Sequence, residues 1–190
     1  MRRRLLGLGL GAGLAGVVAL ALVFTVFAGA SGAGGDKKVV RADPLTGYQE
    51  ATPAGNSSAG SGTFEATIDE DATPPTISYT LTYTGLSGPA LFSHIHFGNR
   101  YDSGGVSAFL CGGGSKPACP AGTTDEATVT GTITPSDVVG PASQGIGAGD
   151  FGKLVDAMRS GVTYVNVHTP KFLAGEIRGQ INNDDQRQVP

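Results

Sequence analysis

Residues 162–169, Val-Thr-Tyr-Val-Asn-Val-His-Thr, and residues 174–181, Ala-Gly-Glu-Ile-Arg-Gly-Gln-Ile, set the strand pattern of this 190-residue chain. In both segments apolar residues alternate with polar ones, which is typical of a β-strand with one buried face. If the segments pair as a hairpin with Val167 opposite Ile177, the valines and isoleucines share one face and the polar residues share the other. A slip of one residue would mix the two faces. The sequence therefore predicts a terminal hairpin in this register, with a five-residue loop.

The polar face of this hairpin is predicted to form one continuous stripe. Its members, read from the two strands, are Tyr164, Asn166, His168, Glu176, Arg178 and Gln180. The register places His168 opposite Glu176. In the segment 93–97, Ser-His-Ile-His-Phe, His94 and His96 share a face because they are two residues apart. If this strand lies beside the hairpin, all three histidines of the chain join the stripe.

Three convergent imidazoles can bind zinc or copper, so His94, His96 and His168 are candidate metal ligands. Glu176 would be a further ligand, or an acceptor that holds the His168 ring. Arg178 counts against a bound cation unless Glu176 neutralises it. Two alternatives stay open: an exposed polar sheet face whose groups bond one another and water, and a hydrogen-bonded network that locks the hairpin.

Thr- and Val-rich alternating runs elsewhere predict further strands, at residues 63–68, 77–84 and 129–133. The segment 151–158 breaks this period, because its apolar residues recur at helical spacing. Asp150 is placed to cap that helix and Gly161 to follow its end. A single helical turn is predicted at residues 134–137. The predicted fold is mainly β, an antiparallel Greek-key sandwich or barrel with one or two short helices.

Composition excludes several classes of protein. Charged residues make up 15% of the chain and the formal net charge is −3, so a highly charged disordered chain is not expected. The sequence shows no basic patch, and nucleic acid is therefore not an expected partner. The common catalytic motifs for hydrolases, zinc peptidases and nucleotide-binding enzymes are absent from the sequence. We therefore expect a protein without enzymatic activity.

Residues 1–30 are predicted to be an export signal or a membrane anchor. Arg2, Arg3 and Arg4 precede an uncharged run over residues 5–30. The tripeptide at 28–30, Ala-Gly-Ala, favours cleavage, whereas the length of the run suits a membrane-spanning helix. Both readings place the remaining chain outside the cytoplasm, secreted or on the cell surface, with membrane contact only through residues 5–30.

The rest of the exported chain divides by composition. Residues 31–41 are predicted to be a flexible tether, residues 42–181 the folded domain and residues 182–190 a disordered tail. Cys111 and Cys119 are the only cysteines and frame a Gly-rich loop. In an exported protein we expect them to form a structural disulfide rather than half of a zinc site, because no histidine lies near them in sequence.

Three motifs of the chain resemble the chordin-type (CHRD) domain, found in the animal antagonist chordin and in exported bacterial proteins. They are residues 45–53, Leu-Thr-Gly-Tyr-Gln-Glu-Ala-Thr-Pro; residues 93–98, Ser-His-Ile-His-Phe-Gly; and the hairpin segments 161–169 and 175–180. The resemblance covers residues 42–181. It implies an immunoglobulin-like or superoxide-dismutase-like β-barrel with no established enzymatic activity.

The His-x-His pair is also similar to the copper-ligand pair of copper–zinc superoxide dismutase. That family needs four histidines on copper, whereas this chain has three in total, so dismutase activity is not expected. The resulting hypothesis is a non-catalytic, exported binding or cell-surface module whose partner is an extracellular protein or surface ligand, with the polar stripe as part of its contact surface. The alternatives are a copper or zinc protein for storage or redox protection, and a purely structural domain.

Overall fold

Alternating apolar residues build one antiparallel β-sheet in the computed structural model, which describes residues 39–51 and 55–181. Within these ranges the sheet has eight strands in the order β5-β4-β7-β8-β1-β2-β3-β6. The strands are β1 (Val39–Thr46), β2 (Ser61–Asp69), β3 (Thr76–Thr84), β4 (Phe92–Phe97), β5 (Gly105–Cys111), β6 (Ala127–Ile133), β7 (Thr163–His168) and β8 (Ile177–Ile181). The predicted mainly β, antiparallel fold is confirmed.

The sheet curls until its two edge strands approach each other, so that it is nearly closed as a barrel. Ala108 of β5 forms an isolated antiparallel bridge to Val138, which follows β6. The hydroxyl of Tyr79 on β3 donates a hydrogen bond of 2.7 Å to the carbonyl of Leu110 on β5. Curling in this way reduces the unpaired backbone that an open sheet edge would expose.

The hydrophobic core is formed by the apolar face of the strands and by the buried side of one helix. Helix α1 (Phe151–Arg159) buries Phe151, Leu154, Val155 and Met158, as its 3.6-residue spacing predicts. Asp150 is the N-cap residue of this helix, as predicted, but its carboxylate accepts a hydrogen bond from the backbone N–H of Gly147 rather than from the helix. Gly161, with a φ of 69°, follows the helix and turns the chain into β7.

In the part of the chain that the structure describes, three 3-10 turns connect the strands, at Gly47–Gln49, Pro135–Asp137 and Ala142–Gln144. The turn at Pro135–Asp137 matches the predicted one, and Thr134 and Asp137 close it with a reciprocal capping box. A disulfide joins Cys111 to Cys119. This is the pairing expected from the sequence.

The structure changes one predicted boundary. β1 begins at Val39, so residues 39–41 of the predicted tether are part of the sheet. The predicted signal or anchor at 1–30, the first eight tether residues and the predicted tail at 182–190 lie outside the described residues. Within the described ranges no helix has the length and apolarity needed to cross a lipid bilayer.

Candidate functional site

The register of three neighbouring strands gathers the polar side chains on one face. β7 pairs with β8 so that Val167 lies opposite Ile177, as predicted. β4 lies on the other side of β7, with His94 opposite Asn166. Because side chains alternate along each strand, the polar residues of all three strands share a face and the apolar ones fill the barrel. We call the shared group the polar face; it comprises His94, His96, Tyr164, Asn166, His168, Arg178 and Gln180.

The polar face is buried, which corrects the expectation of an exposed sheet face. None of its side chains is more than 8% exposed, and Arg178 and Asn166 are each 2% exposed. The same observation corrects the expectation that this stripe is part of a contact surface for a macromolecule. A partner protein cannot touch these side chains while the loops above them stay in place.

The loop between β4 and β5, residues 98–104, covers the polar face through its backbone carbonyls. Arg178 donates hydrogen bonds to the carbonyls of Asn99 (2.7 Å) and Asp102 (2.9 Å). The side-chain amide of Gln180 donates to the carbonyls of Gly98 and Gly161, both at 2.9 Å. Burial of an arginine is tolerable because its donors are satisfied by acceptors fixed in the loop.

The three histidines converge beneath this loop in a group that we call the histidine cluster. One ring nitrogen from each of His94, His96 and His168 lies within 4.8 Å of the other two. Nδ1 of His94 and Nε2 of His96 are 3.2 Å apart. Three nitrogens bound to one ion at about 2.0–2.1 Å lie about 3.3–3.6 Å apart, so the widest pair would have to close by about 1 Å before all three share a metal.

Backbone carbonyls fix the orientation of two of these rings. Nδ1–H of His96 donates to the carbonyl of Gly104 at 2.9 Å, and Nδ1–H of His168 donates to the carbonyl of Leu173 at 2.9 Å. Since a carbonyl can only accept, the Nε2 atom of each neutral ring carries the lone pair. Nε2 of His96 lies 3.2 Å from Nδ1 of His94, and Nε2 of His168 lies 2.9 Å from the side-chain amide of Asn166, so both are in contact with a neighbouring polar group. Metal-binding histidines in proteins are commonly held by such a bond on the other ring nitrogen.

Burial keeps the cluster uncharged. Desolvation, together with the neighbouring His168, lowers the pKa of His94 to about 3 and that of His96 to about 4. Desolvation also lowers the pKa of His168. All three imidazoles are therefore neutral at pH 7, which is the form that binds metals.

Aromatic rings surround the cluster. The ring of Phe92 lies 5.3 Å from that of His94 and 4.9 Å from that of His168, and the ring of Phe109 lies 4.7 Å from that of His94. On the opposite side Tyr164 stacks in parallel on His96 at 4.7 Å, and the guanidinium of Arg178 lies 3.4 Å from the centroid of Tyr164. The cluster thus has an apolar wall on one side and a stacked cation beyond the tyrosine on the other.

Glu176 has different partners from those expected. Its carboxylate accepts hydrogen bonds from the hydroxyls of Ser58, Ser87 and Thr169 and from the backbone N–H of Ser87 at 2.7 Å. These bonds lower its pKa although burial opposes them. Among the described residues, the group able to share an ion contains only the three histidines. The two ring nitrogens of His168 lie 2.9 Å from the carbonyl of Leu173 and 2.9 Å from the side-chain amide of Asn166, and neither contacts Glu176. Glu176 therefore connects the start of β8 to the segment before β2, to the loop after β3 and to the residue that follows β7, rather than facing His168.

The carboxylate that faces Arg178 belongs to Glu50, which the sequence analysis did not select as a site residue. Glu50 is 6% exposed, and desolvation raises its pKa to about 7, while the charge of Arg178 and the amide of Asn166 act in the opposite direction. A side chain at Gly175, where φ is 132°, would collide with this carboxylate. The only sequence signal for Glu50 is its place in the motif at residues 45–53.

Comparison with known proteins agrees with this architecture. The family model for the CHRD domain matches residues 42–181, which span most of the chain and all of β2 to β8. No curated protein and no solved structure matches the chain significantly. Because the family model covers more than half of the sequence, the chain belongs to the CHRD-domain family.

Proposed function

We propose that this chain is an exported, non-catalytic module that binds a transition-metal ion, copper or zinc, through His94, His96 and His168. The observation that carries the proposal is the convergence of three buried ring nitrogens within 4.8 Å of one another. Imidazole is a ligand that suits both metals, and three imidazoles with an open position are a known zinc arrangement.

The hydrogen bonds around the cluster support the same function. The carbonyls of Gly104 and Leu173 hold Nδ1–H of His96 and His168, so Nε2 is the nitrogen of each ring that would bind an ion. The ion would replace the present contacts of these Nε2 atoms with His94 and Asn166. Because the three rings already lie together in the folded chain, binding requires only a local adjustment of the rings. Because the rings are neutral at pH 7, a metal ion does not have to displace a proton from the nitrogens that bind it.

Export and the lack of catalysis are supported by independent features. CHRD domains occur in extracellular proteins, and residues 42–181 match this family. A disulfide between Cys111 and Cys119 suits an oxidising compartment. The sequence carries none of the common catalytic motifs, so the bound ion is proposed to be stored or sequestered rather than used in turnover.

Titration of the purified metal-free protein with Zn²⁺ and with copper tests this function. We expect saturable binding of one ion per chain that is lost in the His94→Ala/His168→Ala variant. The matched control is Thr67→Ala/Thr80→Ala, which truncates two exposed strand residues and should bind like the wild type. Binding of both metals by the wild type that is no tighter than by the histidine variant would reject the metal site.

A purely structural role is the second candidate, favoured by the bonds from Arg178 and Gln180 to the loop over residues 98–104. In that case the polar face only locks the loop to the sheet, and the titration would give no specific binding. An extracellular protein or surface ligand remains a further proposed partner. It would have to contact a surface other than the buried polar face.

A further inference from the structure

The ligands of the histidine cluster bring no negative charge to a bound ion. Among the described residues the group able to share an ion consists of His94, His96 and His168 alone. Carboxylates and thiolates neutralise the ion in many divalent-metal sites, but neither belongs to this group. Three neutral imidazoles therefore leave a bound ion with its full formal charge.

The surroundings of the cluster are not negative either. The guanidinium of Arg178 stacks on Tyr164, which in turn stacks on the ligand ring of His96. A fixed positive charge thus lies one aromatic ring away from a ligand. The other charged side chains that act on Arg178 are Glu50, Asp102 and Arg100. The four groups together contribute a net charge between zero and +1, depending on whether Glu50 is protonated.

The carboxylate of Glu176 does not alter this balance, because it is already engaged. Four hydrogen bonds from Ser58, Ser87 and Thr169 hold it in place. Releasing it toward an ion would break these four bonds and leave the hydroxyl of the buried Thr169 without its acceptor, which is unfavourable. The carboxylate of Glu176 is therefore not available as a ligand for a divalent ion in the histidine cluster.

The aromatic wall makes the remaining charge important. Phe92 and Phe109 pack against the cluster and exclude water from that side. The unfavourable energy of placing an ion in a medium of low dielectric constant grows with the square of its charge, so a divalent ion is penalised about four times as much as a monovalent one. Zn²⁺ also requires a fourth ligand, usually a carboxylate or water in such sites.

From this ligand set and its surroundings we infer that the histidine cluster is selective for monovalent copper, Cu⁺, over divalent ions. The inference rests on the proposed function, since it names the ion for the same site. Cu⁺ is satisfied by two or three imidazoles, carries a single charge and needs no bound water. We expect Cu⁺ to bind at least about 100-fold more tightly than Zn²⁺, a difference of two powers of ten in Kd.

Competition for each ion on the full chain tests the selectivity. Cu⁺ is supplied without oxygen as its bicinchoninate complex, and transfer to the protein is followed by the loss of the complex's colour. Zn²⁺ is supplied with a chromophoric chelator in the same buffer. The His94→Ala/His168→Ala variant gives the background for both ions, and Thr67→Ala/Thr80→Ala serves as the matched control.

The outcomes separate this inference from the proposed function. Tight Cu⁺ binding with Zn²⁺ at least about 100-fold weaker supports the selectivity. Zn²⁺ binding as tight as Cu⁺ binding, both lost in the histidine variant, overturns the selectivity and leaves the metal site standing. Binding of neither ion above the background overturns both.

Arg178→Met tests the source of the selectivity. Removing the cation should tighten Zn²⁺ binding more than Cu⁺ binding and narrow the ratio of the two affinities by about tenfold or more. Arg178→Lys keeps the charge and should preserve the ratio. An unchanged ratio in a folded Arg178→Met protein would overturn the electrostatic argument, and the wild-type competition decides the selectivity itself if that variant does not fold.

Discussion

Glu50→Gln is expected to change how the stability of the protein depends on pH. In the folded protein burial raises the pKa of the Glu50 carboxyl from 4.5 to about 7. The folded chain therefore binds this proton more tightly than the unfolded chain does. By linkage, the resulting contribution to stability is fully present below pH 4.5 and is lost as the pH rises through 7.

The size of the effect follows from these two values. Each tenfold difference in proton affinity corresponds to about 1.36 kcal/mol, so protonation of Glu50 favours the folded state by about 2.5 kcal/mol more at pH 5 than at pH 8. No large correction for solvent is needed, because Glu50 is only 6% exposed. Glutamine keeps the shape of the side chain and cannot titrate.

Urea unfolding of the metal-free wild type and of Glu50→Gln at pH 5, 6, 7 and 8 measures the effect. The free energy of unfolding of the wild type, relative to the variant, should rise by about 2.5 kcal/mol as the pH falls from 8 to 5. Glu65→Gln is the matched control, since the side chain of Glu65 is 54% exposed, and its profile should parallel that of the wild type. Parallel profiles for Glu50→Gln as well would refute the burial of this carboxyl.

Three further changes test other parts of the structure. Glu176→Gln should lower the free energy of unfolding by about 3 kcal/mol in urea, because a buried carboxylate that accepts four hydrogen bonds is replaced by a neutral amide. The loss should shrink as the pH falls below about 4.3, since the folded carboxylate has a lowered pKa. Replacing Cys111 and Cys119 with serine should lower it by about 2.5 kcal/mol, the loop-closure value for so short a ring. Gly104→Ala should lower the Tm in thermal unfolding, because its Cβ would collide with the carbonyl of Phe97; an unchanged Tm would mean that the loop over the polar face is not packed as described.

Much of the site is predictable from the sequence because side chains alternate between the two faces of a β-strand. The pairing of Val167 with Ile177 follows from hydrophobic alternation, and this register fixes which polar side chains share a face. The spacing of His94 and His96 places both rings on one side of β4 in the same way. Helix α1 is equally well determined, because four apolar residues recur at its period.

The loop that covers the polar face is not predictable from the alternation of apolar and polar residues. Residues 98–104, Gly-Asn-Arg-Tyr-Asp-Ser-Gly, read as an exposed loop, and alternation does not reveal that their carbonyls satisfy Arg178 and Gln180. Strand β1 is not predicted because Pro44 interrupts the alternation of apolar and polar residues. Strand β5 is not predicted because its buried and exposed residues do not alternate regularly. Glu50 escapes because a charged residue in a polar loop carries no signal for burial.

Long-range ¹⁵N–¹H NMR of the histidine rings, recorded before and after addition of one equivalent of Zn²⁺ or Cu⁺, tests the metal centre most directly. Both ions are diamagnetic, and the spectra report the protonation and binding of each ring nitrogen. The account predicts three neutral rings, with Nδ1–H on His96 and His168, and a joint shift of one nitrogen in each ring that is complete at one equivalent. Spectra that neither ion alters, or rings that are protonated at pH 7, would contradict it.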